Sequence, residues 1–161
     1  MEISNCVNKN VAIEKINAVQ PKLNAVVTMI DEDANTNAGK LAGVPVALKD
    51  NISTCGIKTT ASSRILDNYV PVYDATIVKK LREAGADFVC KASMDELGMG
   101  GTNKNAYTGA VHNPYDLDRI PGGSSGGLCC FSCRRMCTFG NRYRYRLIVF
   151  ENLQHIVVLL V

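Results

Sequence analysis

"GVPVALKD" spans Gly43–Asp50, and its reading decides the fold. The run is short, apolar and rich in valine, and it closes on two charges. That pattern predicts a buried strand whose last residues, Lys49 and Asp50, point into a site. Downstream, "DATIVKKLREAGA" (Asp74–Ala86) spaces its apolar residues at Ile77, Val78 and Leu81. Asp74 is the predicted N-cap of this helix and Gly85 its stop. "DFVCK" (Asp87–Lys91) then reads as a second strand. Strand, helix and strand in succession predict an α/β fold.

Working outward, "VAIEKINAVQPKLNAVVTMIDEDA" (Val11–Ala34) has helix-like apolar spacing interrupted by Pro21, which predicts two short helices. A polar loop, "DEDANTNAGK", follows. In "SMDELGMG" (Ser93–Gly100) the pair Ser93 and Glu96 matches a capping box opening another short helix. Residues 100–127 show no sustained period and are dense in Gly, Asn and Pro. A loop of that length in a compact domain is usually functional.

The chain has 161 residues, enough for one ordinary domain or part of a larger one. Apolar residues make up 47% and charged residues 20%, which excludes wholesale disorder. Charge is unevenly spread: residues 1–127 carry 13 Lys and Arg against 14 Asp and Glu, whereas 128–161 carry five Arg against Glu151 alone. The net +3 therefore says little about partners. Cys6, Cys55 and Cys90 are scattered without framework spacing, while Cys129, Cys130, Cys133 and Cys137 crowd the tail. Dispersed cysteines behind an N-terminus with no basic-then-apolar start fit a reducing cytoplasm. "HIVVLLV" at the end is far below the roughly 20 apolar residues of a membrane span, so no membrane partner is expected.

Three groups carry candidate chemistry. Lys49 reads either as a solvated lysine at a strand end or as an amine carried into a dry site. There burial lowers its pKa and leaves it able to act as a base. "GGSSGG" (Gly122–Gly127) reads either as a flexible linker or as a loop whose glycines bring backbone N–H groups and the hydroxyls of Ser124 and Ser125 close to a substrate. It is not a phosphate-binding loop, since no Gly-Lys-Ser/Thr follows. In the tail, Cys130, Cys133 and Cys137 with His155 form an incomplete zinc pattern. "RYRYR" (Arg142–Arg146) interleaves cations with aromatics as single-strand nucleic-acid binders do. A small non-enzymatic metal- or nucleic-acid-binding protein thus stands beside the enzymatic readings.

Taken together, "LAGVPVALKDNISTCGIKTTASS", "YDATIVKKLREAGADFVCKASMDELGMGGT" and "NPYDLDRIPGGSSGG" resemble the amidase signature family. The resemblance covers Ile13 to Gly127, and a lysine closing a Gly-Val-Pro strand 75 positions before Ser124 is highly specific. "MDELGMG" and "NPYDLDRIPGGSSGG" are similar to the tRNA-dependent branch, the A subunits of glutamyl-tRNA(Gln) amidotransferases, more than to general amide hydrolases of the family. The resemblance implies that residues 1–127 are the N-terminal portion of the amidase domain, an incomplete mixed β-sheet flanked by helices. It implies a Ser–cis-Ser–Lys triad in which a neutral Lys49 takes a proton through the bridging Ser124 from a nucleophilic serine. Gly122, Gly123, Ser125 and Gly126 then shape the substrate loop. The implied substrate is glutamine, and the ammonia released passes to partner subunits. These, the B and C subunits, convert Glu-tRNA(Gln) to Gln-tRNA(Gln). ATP and Mg²⁺ are used there, and the A subunit itself binds no cofactor and no metal.

After Gly127 the pattern breaks. The family's "DTGGSIRxPAxxCGVVG" block, with its acyl-accepting serine, is expected where this chain has Ile148, and Ser132 is the only serine beyond Ser125. Codons compatible with "LCCFSCRRMCTFGNRYRYR", read one nucleotide later, can spell S-A-A-L-A-A-D-E-C-A-L-L-G-T-D-T-G-T-G. After a further one-nucleotide step, "IVFENLQHIVVLL" can spell S-I-R-K-P-A-A-Y-C-G-V-V-G. Residues 128–161 are therefore expected to be a frame-shifted tail and not a domain. On that reading the tail's cysteines and arginines are codon by-products, the product is catalytically inactive, and its strands lack sheet neighbours.

Overall fold

The computed structural model describes residues 8–31, 35–133 and 157–159. Helix α1 (Lys9–Leu23) starts where the side chain of Asn8 accepts the Val11 N–H at 3.0 Å, and it buries Ala12, Ile16 and Leu23 along one stripe. It ends at Asn24, whose left-handed φ of 52° brings its N–H back onto the Gln20 carbonyl. The two helices expected around Pro21 are thus one helix. Pro21 lies in the last turn, where its missing N–H costs the helix one hydrogen bond, the one that would reach back to the exposed Asn17. The apolar residues beyond it form strand β1 (Val26–Met29) instead of a second helix. Two adjacent valines and a threonine favour the pleat over the helix.

Strand β2 (Pro45–Lys49) is buried at every position, as its composition predicts. Helix α2 (Thr76–Glu83) follows, then strand β3 (Asp87–Ala92), also buried throughout. The predicted N-cap of α2 is not formed. Asp74 is engaged across the fold, accepting the Cys55 N–H at 2.7 Å and lying 3.4 Å from Arg82, so α2 opens from Ala75 without a side-chain cap. Gly85 does end the helix region. Its φ is +90°, and its N–H returns to the Arg82 carbonyl at 3.0 Å.

With strand β4 (Val157–Leu159), the sheet is mixed, in the order β1-β3-β2-β4. β2 pairs parallel with β3, and β1 pairs antiparallel with it. Val46 opposes Phe88 while Ala47 opposes Cys90, so Val89 is an extra residue bulged from the ladder. Helices cover both faces. Ala47, Cys90 and Ala92 pack with α1 and with Leu128, Cys130 and Phe131, whereas Val46, Leu48 and Phe88 pack with Val78 and Leu81 of α2.

The capping box expected at Ser93 and Glu96 is absent. The Ser93 hydroxyl accepts from the Asn103 amide at 3.4 Å, and Glu96 accepts from the Ser63 hydroxyl at 2.7 Å, so only a single 3₁₀ turn (Glu96–Gly98) forms. The loop expected over residues 100–127 contains no helix or strand as far as residue 125, and its last two glycines instead open helix α3 (Gly126–Cys133). Residues 128–133, assigned from sequence to the tail, continue this helix. Strand β4 (Val157–Leu159) pairs antiparallel with β2, so the β2 edge expected to lack a neighbour has one. Cys137, Arg142–Arg146, Ile148 and His155 lie outside the described residues.

Candidate active site

Lys49 closes β2 on the same face as Ala47, beneath the start of α3. Its ammonium or amine nitrogen lies 2.8 Å from the hydroxyl of Ser124, to which it donates. The side chain is nearly enclosed, with 3% of the residue exposed. Burial lowers the Lys49 pKa, and the charges of Asp95 and Cys129 pull the other way without restoring it. A lysine so placed gives up its proton more readily than a surface lysine.

Ser124 sits in the loop before α3. The Gly123–Ser124 peptide is cis, and the Ser124 carbonyl accepts the Asp95 N–H at 2.9 Å. Gly122 has a φ of +92°, and both Gly122 and Gly123 reach solvent beside Ser124. Ser125 and Gly126 face inward. Ser125 is 5% exposed and its carbonyl accepts the Cys129 N–H, while the Gly126 N–H donates to Asn103 Oδ1 at 2.9 Å. Of the predicted loop residues, Gly122 and Gly123 reach solvent, the latter with no room for a Cβ on its inner side, and the Gly126 N–H is already paired within the protein. Gly127 allows helix and sheet to touch, since a Cβ there would collide with the backbone of Ala25 and Ser93.

Behind Lys49, Asp50 turns to the opposite face. Its Oδ2 accepts from the Thr60 N–H, the Thr60 hydroxyl and the Ser62 N–H. Burial raises the Asp50 pKa, and those hydrogen bonds and Lys91 oppose the rise. Lys91, fully buried on β3, donates to the Ile52 carbonyl at 2.6 Å and to Thr59 Oγ1 at 2.8 Å, and burial lowers its pKa to about 8. This network fixes the turn that follows β2, and with it the base of Lys49.

Two residues at the site escaped the sequence reading. Asp95, which lies between Ser93 and Glu96 and was given no role from sequence, is wholly buried and accepts the Asn103 N–H at 2.9 Å. Asn103 in turn bridges Ser93 and Gly126. The glycines at 100, 101, 122 and 123 were the available signal, because two glycine pairs far apart in sequence can mark a close backbone approach. Two surface concavities, of about 190 and 290 Å³, are lined by α1 with residues 114–117 and by β1 with residues 56–58, and neither includes Lys49 or Ser124. Among the described residues there is no cluster of three His, Cys, Asp or Glu side chains able to hold a metal ion, and no helix long and apolar enough to cross a membrane.

A buried lysine at a strand end, bonded to a serine in a glycine loop 75 residues on, is equipment for moving a proton to or from a hydroxyl. The chain belongs to the amidase family, whose model matches residues 10–140. It is 51% identical over 120 residues to the A subunit of the glutamyl-tRNA(Gln) amidotransferase of Lactobacillus acidophilus, a match covering 71% of this chain and 25% of that protein. The corresponding protein of Carboxydothermus hydrogenoformans is 48% identical over 139 residues, covering 78% of this chain and 29% of the relative. Among solved structures, the A subunit of the glutamyl-tRNA(Gln) amidotransferase from Thermotoga maritima superposes with a TM-score of 0.73 at 42% identity, covering 77% of this chain and 28% of the other. The chain thus spans about a quarter of the length of the relatives it matches.

Proposed function

We propose that this chain carries the base and the bridging serine of the glutamine-hydrolysing component of a tRNA-dependent amidotransferase, and that as it stands it lacks the nucleophile. The observation that carries the reading is the 2.8 Å bond between buried Lys49 and Ser124. In the intact enzyme the nucleophilic serine stands at the position occupied here by Ile148. Its hydroxyl attacks the glutamine carboxamide while its proton passes to Ser124, and the Ser124 proton passes to neutral Lys49. The C–N bond then breaks, ammonia leaves with a proton returned along the same path, and water hydrolyses the γ-glutamyl ester. Ammonia is delivered to the B and C subunits, where ATP and Mg²⁺ activate Glu-tRNA(Gln). A shifted reading frame across residues 128–161 accounts for the missing serine.

A triad acts as a unit, so losing its nucleophile costs about as much as losing all of it. The test is ammonia release from glutamine. The 161-residue chain is expected to give none above background. A frame-repaired, full-length protein is expected to turn over, and to lose about 10³-fold or more in kcat on Lys49→Ala or Ser124→Ala. Turnover by the unrepaired chain that Ser124→Ala abolishes would show that Ser124 is itself the nucleophile.

A further inference from the structure

Asp95 lies where three segments of the site meet. Its backbone N–H holds the Ser124 carbonyl at 2.9 Å, and its Oδ1 holds the Asn103 N–H at 2.9 Å. Among the described residues no group donates to its Oδ2, although the residue is 0% exposed. Two glycines make its bed. A Cβ at Gly123 would strike Oδ2, and one at Gly100 would strike the carboxylate carbon. A buried carboxylate with a bare oxygen is costly unless a positive charge is near. Ser124 links Asp95 to Lys49: the Asp95 N–H donates to the Ser124 carbonyl, and the Lys49 nitrogen donates to the Ser124 hydroxyl at 2.8 Å. Among the described residues Lys49 is thus the cation beside this carboxylate, whose charge acts to raise the lysine's pKa against burial.

We propose that Asp95 is a positioning residue of the relay: its carboxylate is the fixed counter-charge of Lys49, and its backbone ties that charge to the loop presenting Ser124. One residue thereby sets both how readily the lysine holds a proton and where the bridging hydroxyl stands. Burial alone would weaken Lys49 as a base, and a fixed negative charge keeps its proton affinity nearer the working pH of a general base. The glycines at 100 and 123 are then room for a carboxylate, a role distinct from touching substrate.

Among the described residues, the charged and titratable groups around Lys49 are few. Asp95 faces it from the 93–103 segment and Cys129 from α3. Ser124 faces it from the glycine loop. Lys91 and Asp50 project to the other face of the sheet, among Thr54, Thr59 and Thr60. Asp95 is therefore the carboxylate whose removal the lysine should feel.

The inference rests on Lys49 being the base of the proposed relay, but its test reads the lysine directly and needs no turnover. The experiment is a ¹³C NMR titration of the 161-residue chain labelled at lysine Cε and aspartate Cγ, with Lys49 assigned from Lys49→Arg. Asp95→Asn should move the Lys49 midpoint down by about one pH unit, while Glu96→Gln, one residue along, should leave it in place. Gly100→Ala, which displaces the carboxylate, should shift it in the same direction. If Asp95→Asn does not fold, the wild-type chain decides: the Asp95 Cγ signal must record a step at the Lys49 midpoint. An unmoved midpoint in Asp95→Asn, or no such step in the wild type, overturns the assignment. A failed glutaminase assay with the repaired protein would leave these signals unchanged and would refute only the wider reading.

Discussion

Replacing Lys91 with methionine should change how stability depends on pH, and the sign follows from its burial. Lys91 is 0% exposed, and its pKa falls from 10.5 to about 8. That displacement corresponds to about 3 kcal/mol of cost for keeping the ammonium charged inside the fold. Its folded pKa is depressed, so below about pH 8 both states are protonated and the whole cost is present. Between about 8 and 10.5 the unfolded chain binds more protons, and stability rises with pH. Cys90 opposes the trend above pH 9, because burial pushes its thiol far up while the unfolded thiol ionises near 9.0. The clean window is therefore between about pH 8 and 9. From pH 7 to pH 9 the wild-type chain should gain about 1 kcal/mol relative to Lys91→Met. Urea unfolding followed by far-ultraviolet circular dichroism at a series of pH values measures that difference, and effects common to both proteins cancel. At neutral pH the variant also loses the bonds to Ile52 and Thr59, so its absolute stability is less informative than its slope. A wild-type-minus-variant difference that stays flat across the window would refute the reasoning.

Other expectations follow from the same contacts. Asp50→Asn should flatten the acid side of the stability profile, since a buried carboxyl raised above 3.8 makes the wild-type chain lose stability as pH climbs through its folded pKa; urea midpoints from about pH 4 upward check this. Phe131→Ala, removing a ring 2% exposed between α3 and the sheet, should cost about 3–5 kcal/mol by the same method. A loss well under 1 kcal/mol would mean that α3 does not pack as described. In equilibrium dialysis the chain should bind zinc no more tightly than a control with residues 134–156 scrambled, because Cys130, Cys133, Cys137 and His155 lack a second properly spaced ligand pair. A stoichiometric, chelator-sensitive complex would restore the metal-binding reading of the tail.

Strands β2 and β3 were legible because each is an apolar run too short for a helix and bounded by turn residues or charge. Strand β1 was not, since Val26 and Val27 continue the apolar spacing of α1 and only the left-handed turn at Asn24 separates them. Asp74 and Ser93 satisfy the local grammar of helix caps, yet each is claimed by a partner distant in sequence: Cys55 in one case, Asn103 in the other. Lys49 and Ser124 could be named from their motifs, and their approach across 75 residues is a product of the sheet that no local pattern encodes. Asp95 was hidden for the same reason. Its importance lies in burial against two glycines and in the charge of Lys49, all tertiary facts.

The central claim is that Lys49 and Ser124 serve a nucleophile that belongs at position 148. It is tested most directly by acid-quenching the frame-repaired protein during glutamine turnover and locating the γ-glutamyl ester by peptide mass spectrometry. The account predicts the ester on a serine at position 148, abolished by Lys49→Ala, and no ester on the unrepaired chain. An ester on Ser124, in either protein, would contradict it.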